Sequence, residues 1–282
     1  MVKIISDSTC DLSEELLKRY DIDIIPLHIM LGNDEYEDGL GISPDEIFSW
    51  ADANRTTPRT SAPSLDSAKN IIGRYKDSFD EIVCFCISES MSTSGNIMRL
   101  AAEELGISDR VRVINSENLS TGIGLTVIKA AEMASDGKSA DEICDGIKEL
   151  IPKVRASFVV DTLTYLHRGG RCSGLAALAG SALKLHPVIS VKGGAMGAGK
   201  KYRGKLSKVV HDYVTDMENE LKNSQPDRVF ITHSGCDKDI VDDVRTYLES
   251  LHIFNEILET RAGGVISSHC GPGTLGVLFI SK

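Results

Sequence analysis

The sequence predicts an α/β protein of two domains, the first with a mostly parallel sheet and the second a smaller mixed α/β unit. Three observations carry this. Short β-branched runs alternate with helical patterns along almost the whole chain. Glu81 to Ile87 is nearly continuously apolar, as a strand covered on both faces must be. And 282 residues are many for one core, which places a boundary near Val154 and gives domains 1–154 and 155–282.

Composition narrows the class. With 41% hydrophobic and 26% charged residues the chain folds. A net charge of −10 argues against nucleic acid as a general partner, because phosphate binding needs a basic surface. No apolar run reaches the roughly 18 residues of a membrane span, and Met1 to Ile5 turns polar at Ser6, too soon for a signal peptide. A cytoplasmic location is expected. The seven cysteines contain no C-x-x-C pair, which suits reduced thiols and speaks against a metal site.

Taken in order, Val2 to Ile5 is a strand leaving through Ser6-Asp7-Ser8-Thr9. Ser13 caps a helix over Glu14 to Tyr20, acidic at its start and basic at its end. Ile22 to Ile29 reads as a second strand, and Ser43-Pro44-Asp45-Glu46 is a capping box opening a helix through Trp50. In Pro58-Arg59-Thr60-Ser61-Ala62-Pro63-Ser64 two prolines impose extended backbone, so the Thr60 and Ser61 hydroxyls become positioned donors. Ser64 caps a helix to Lys76 whose positive end would lie close by, a good place for an anion. A loop that only caps a helix is the plain alternative.

Glu81 to Ile87 leaves through Ser88-Glu89-Ser90-Met91-Ser92-Thr93-Ser94-Gly95 into a helix ending near Leu105. The strand Val111 to Ile114 leaves through Asn115 to Gly122, and two helices reach Lys153. Three strand exits rich in Ser and Thr point to one polar crevice outside the carboxyl ends of the strands. Turn chemistry alone would explain any single one.

In the second half Phe158 to Val160 is a strand, and Leu163 to His167 a helical turn leading to Arg168-Gly169-Gly170-Arg171. Ser173 to Leu185 reads as an Ala- and Leu-rich internal helix. Strands over Pro187 to Lys192 and Ala198 to Arg203 flank a glycine-rich turn. Gly194 to Lys200 imitates a phosphate loop but has Lys201 where Ser or Thr should follow, so no nucleotide site is read there. A helix from Leu206 to Asn223, a strand Val229 to His233, a helix Ile240 to Ser250 and strands Glu256 to Glu259 and Val277 to Ile280 complete the chain. His269 lies in a small-residue segment ahead of Gly271-Pro272-Gly273-Thr274. It is either a satisfied core histidine or a ring that orients an acidic ligand group.

These motifs resemble those of the DegV family of bacterial fatty-acid-binding proteins almost end to end. Ser6-Asp7-Ser8-Thr9-Cys10-Asp11-Leu12 resembles S-D-S-T-x-D-L. Thr60-Ser61-Ala62-Pro63-Ser64 resembles T-S-Q-P-S with Ala62 for Gln, and Gly169-Gly170-Arg171 matches G-G-R. His269 with Gly271-Pro272-Gly273-Thr274-Leu275-Gly276 resembles the C-terminal signature. Met91-Ser92-Thr93-Ser94-Gly95 departs from L-S-G-T-Y, and Asn115-Ser116 stands where Asp-Ser is common, so the serine is kept in a different turn.

The resemblance implies two α/β domains enclosing one long-chain fatty acid, whose carboxyl is bound by Thr60, Ser61 and Ser92 with His269 in the same network. It implies no cofactor and no catalytic residue. It further implies presentation of the acid to a separate ATP-dependent fatty-acid kinase, with Arg171 and Arg203 on the kinase-facing surface, and transient membrane contact for ligand exchange. Met91 and the helix from Ser173 are candidates for the tunnel wall, with ordinary core packing as the alternative. The rival function is an acyl hydrolase or transferase using Ser92 or Ser61 with His269 as base, which would need a third group to orient the histidine.

Overall fold

Local signals set many element boundaries in the computed structural model, which describes residues 1–171 and 185–282. The first stretch holds β1 (Val2–Asp7), α1 (Glu14–Arg19), β2 (Ile22–Ile25), β3 (His28–Leu31), β4 (Asp34–Glu37), α2 (Pro44–Asn54) and β5 (Arg59–Ser61). It continues with α3 (Leu65–Gly73), β6 (Glu81–Cys86), α4 (Ser94–Glu104), β7 (Val111–Asn115), α5 (Thr121–Ser135) and α6 (Ala140–Leu150). Then come β8 (Val154–Val159), α7 (Thr164–Gly169), β9 (Leu185–Lys192), β10 (Ala195–Arg203), α8 (Leu206–Asp216) and α9 (Glu218–Lys222). Last are β11 (Ser224–His233), α10 (Lys238–Ser250), β12 (Glu256–Arg261), α11 (Gly264–Cys270) and β13 (Leu275–Ser281). Ser13, Ser43, Ser64 and Ser139 each accept the N–H of the residue three further on, so α1, α2, α3 and α6 begin where a hydroxyl satisfies an orphan donor.

Several expectations change. The single strand over Ile22 to Ile29 is two, β2 and β3, with Pro26 between them unable to donate to a ladder. The long helix to Asn223 divides at Met217 into α8 and α9. β4, β5 and α11 have no counterpart in the sequence reading. The helix from Ser173 falls outside the described residues except for Leu185, which instead opens β9.

β2-β1-β6-β7 form an all-parallel sheet, and β4-β3-β5 a small antiparallel one. Among the described residues, the strands from Val154 onward join a six-stranded sheet in the order β10-β9-β8-β13-β11-β12, antiparallel except for β11 with β12. Fold class is therefore mixed α/β. Helix α5, apolar on most of its circumference, packs against β1 and β6 of one large sheet and β8 and β13 of the other. One core runs from Val83 and Phe85 through Ile123 and Ile128 to Phe158, Phe230 and Leu278. Among the described residues no helix is long and apolar enough to cross a membrane.

Candidate functional site

The parallel sheet changes its direction of winding between β1 and β6, the place where open α/β sheets bind ligands beyond their strand ends. In this chain that point is occupied by a carboxylate. Asp7, fully buried, accepts from Thr9 N–H at 3.2 Å and the Thr9 hydroxyl through Oδ1, and from Ile87 N–H and the Ser94 hydroxyl, both at 2.8 Å, through Oδ2. It thus ties the exits of β1 and β6 to the first turn of α4 and fixes the loop that carries Ser92. Burial raises its pKa, and the donors work against that rise.

Two further buried carboxylates hold the start of α11. Asp11 Oδ1 accepts from Gly263 N–H at 2.8 Å while its Oδ2 accepts from the Ser120 hydroxyl. Asp38 Oδ1 accepts from Gly264 N–H at 2.7 Å and Val265 N–H at 3.3 Å. The start of α11 is therefore capped by residues distant in sequence, whose carboxyl oxygens satisfy its first N–H groups. Burial pushes Asp11 well above the usual carboxylate range and Asp38 up to about 6.

Helix α11 delivers His269, a half-buried ring whose Nε2 lies 2.8 Å from Thr60 Oγ1. Burial, reinforced by the Arg171 guanidinium, pushes His269 down to about 4, so the ring is neutral at pH 7. Thr60 comes from β5, whose residue pairs with Ile29 of β3. The extended backbone expected between the two prolines is present. Ser64 caps α3 as expected, but its own N–H donates to His28 Nε2 at 3.1 Å and it lines a different depression, so the positive end of α3 does not face this site.

A cavity of about 470 Å³ brings Thr60, Ser61, Ser92, His269 and Arg171 together. Its remaining wall is chiefly apolar, including Leu27, Ile87, Met91, Leu119, Met196 and Ile266. Ser92 Oγ accepts from Ser94 N–H at 3.3 Å, and among the described residues its hydrogen has no acceptor. Ser61 is exposed, its hydroxyl 3.4 Å from the Ala62 carbonyl. Arg171 lies on the cavity wall and donates to the Gly169 carbonyl at 2.7 Å. Arg203, exposed at the end of β10, is not part of this wall.

Ser88 Oγ donates to the Gly194 carbonyl at 2.6 Å, and Ser90, on the cavity wall, donates through Oγ to the same oxygen. The β9–β10 turn is thereby fastened to the Ser92 loop. Sequence reasoning missed Asp7, Asp11 and Asp38 as determinants of the site. For Asp7 and Asp11 the available signal was carboxylates set among small and apolar residues at the exit of β1; Asp38, directly after β4, had none.

An α/β protein whose two large sheets share a core, with a chiefly apolar cavity whose wall also bears hydroxyls and a neutral histidine, has a site of amphipathic character. The chain belongs to the DegV family, whose model, described as an uncharacterised protein of the DegV family, matches residues 1–282. A DegV domain-containing protein of Deinococcus radiodurans is 31% identical over 277 residues, covering 98% of this chain and 97% of that protein. A fatty-acid-binding DegV family protein of Thermus thermophilus superposes with a TM-score of 0.91 at 30% identity, covering 100% of this chain and 99% of that one. A stearic acid-binding protein of Eubacterium ventriosum gives 0.86 at 30% identity with the same coverage.

Proposed function

We propose that this chain binds one long-chain fatty acid in the 470 Å³ cavity and acts as its carrier rather than as a catalyst. The observation that carries the reading is the composition of that cavity: a chiefly apolar wall that also bears Thr60, Ser61, Ser92 and His269. Its volume falls in the roughly 300–1,000 Å³ range of small-molecule sites. In this reading residues 1–154 and 155–282 are the two halves that hold the ligand. Burying about 15 methylenes at ~0.8 kcal/mol each offers about 12 kcal/mol before ordering costs, so the tail supplies affinity. Hydrogen bonds to a charged head return about 1.5–3 kcal/mol each, so the hydroxyls fix its position.

The same geometry disfavours the acyl hydrolase. His269 Nε2 is engaged by Thr60, not by Ser92 or Ser61, and among the described residues no carboxylate orients the ring. Among the described residues no group of three or more His, Cys, Asp or Glu could hold a metal ion. We assign the consumer of the bound acid as a separate ATP-dependent fatty-acid kinase that meets the Arg171 and Arg203 side of the protein, with the acid exchanged at membranes.

Native mass spectrometry of the protein purified from cells, followed by solvent extraction, tests the carrier reading. One long-chain fatty acid near one-to-one occupancy is expected. A protein that comes out empty and refuses added palmitate would refute it.

A further inference from the structure

Gly169 ends α7, and a Cβ placed on it would lie only 2.4 Å from His269 Nδ1. Its φ is not in the left-handed region, so the backbone alone would accept any residue. The histidine is what requires glycine here. The direction of the missing Cβ is that of a Cα–H bond, which therefore points at Nδ1. That nitrogen is buried without a hydrogen-bond partner. A proton on Nδ1 would be an unsatisfied buried donor driven against another hydrogen, whereas a lone pair there meets a weakly polar C–H. Arg171, donating to the Gly169 carbonyl at 2.7 Å, holds this peptide in place.

We propose that Gly169 is a positioning residue for the head-group site: its close approach fixes His269 as the Nε2–H tautomer and so sets the Thr60 hydroxyl to donate into the cavity. Nε2–H donates to Thr60 Oγ1 across the 2.8 Å contact, leaving the threonine hydrogen free. Ser92 is set the same way, because its oxygen already accepts from Ser94 N–H. Two hydroxyls that each accept from the protein offer their hydrogens to the ligand. The head group favoured is an acceptor, a carboxylate, because Thr60 and Ser92 present hydrogens rather than lone pairs to it. The choice of ligand rests on the carrier reading above; the tautomer does not.

Nitrogen-15 NMR of the histidine-labelled full-length protein at pH 6–8 should show the His269 proton on Nε2 and none on Nδ1. A proton on Nδ1 overturns the proposal whatever the protein binds. Palmitate should bind at least tenfold more tightly than 1-hexadecanol, and equal binding with the expected tautomer would overturn the donor assignment. Gly169→Ala should weaken palmitate at least tenfold in the wild-type background and have no further effect in a His269→Ala background. An equal loss in both backgrounds would show that glycine serves the fold and not the histidine. If palmitate fails to bind while the Nε2–H tautomer is observed, the carrier reading falls and the tautomer lock stands.

Discussion

Replacing Asp38 with asparagine should change how stability depends on pH, with a sign that follows from its environment. The carboxyl is 4% exposed, and burial raises its pKa from 3.8 to about 6 although it accepts from Gly264 and Val265. A group held above its unfolded value favours the folded state most below the unfolded pKa, and loses that contribution as pH rises through the folded one. At 1.36 kcal/mol per unit, the difference between about 6 and 3.8 corresponds to about 3 kcal/mol. Urea unfolding at half-unit steps from pH 3.5 to 7 measures it. The stability of the wild type minus that of Asp38→Asn should fall by about 2 kcal/mol across pH 4 to 6, and by nearly the full ~3 kcal/mol across the whole range from pH 3.5 to 7, whatever the constant offset between the two proteins. A difference that stays level across the window would refute the assignment of a buried, proton-retaining carboxyl at the start of α11. His269 works in the opposite sense: held down to about 4, it contributes stability above its unfolded pKa and loses it as pH falls toward 4.

Thr60→Ala and Ser92→Ala should each weaken palmitate by about 1.5–3 kcal/mol in a displacement titration, with unchanged thermal stability. Unaltered affinity in the double variant would sink the head-group assignment. Lys3 is buried beneath Tyr75, with Nζ 2.8 Å from Asp21 and 2.9 Å from Asp23. Lys3→Met should cost about 1–3 kcal/mol in urea unfolding, since both carboxylates retain access to water, and should leave palmitate affinity intact. Arg203→Ala should bind palmitate normally yet slow acyl-phosphate formation when the kinase is supplied; an unchanged rate would remove Arg203 from the docking surface.

Part of the fold was legible because some helix starts here are local. Ser13, Ser43 and Ser64 cap their helices from adjacent residues, and the apolar run at β6 declares its burial directly. Helix α11 was not legible for the converse reason. Its first N–H groups are satisfied by Asp11 and Asp38, more than 220 residues away, so nothing beside Gly263-Gly264 announces a beginning. β4 is charged and half-exposed, without the alternation that marks a strand, and becomes one only by pairing with β3. Thr60, Ser92 and His269 could be named from motifs, but the contact that joins Thr60 to His269 spans 209 positions. Asp7 likewise reaches Ile87 and Ser94 across 80 and 87 positions, a relation that only the closed fold reveals.

The paired bonds from Ser88 and Ser90 to the Gly194 carbonyl have a mechanical consequence. The loop that carries Ser92 is anchored below by Asp7 and above by the tip of the β9–β10 hairpin, which also sends Met196 into the cavity wall. Any displacement of that hairpin therefore pulls on the segment that carries Ser92. On the carrier reading proposed above, a shift of the hairpin and a shift of the Ser92 hydroxyl become one movement, which couples the Met196 part of the cavity wall to its polar groups.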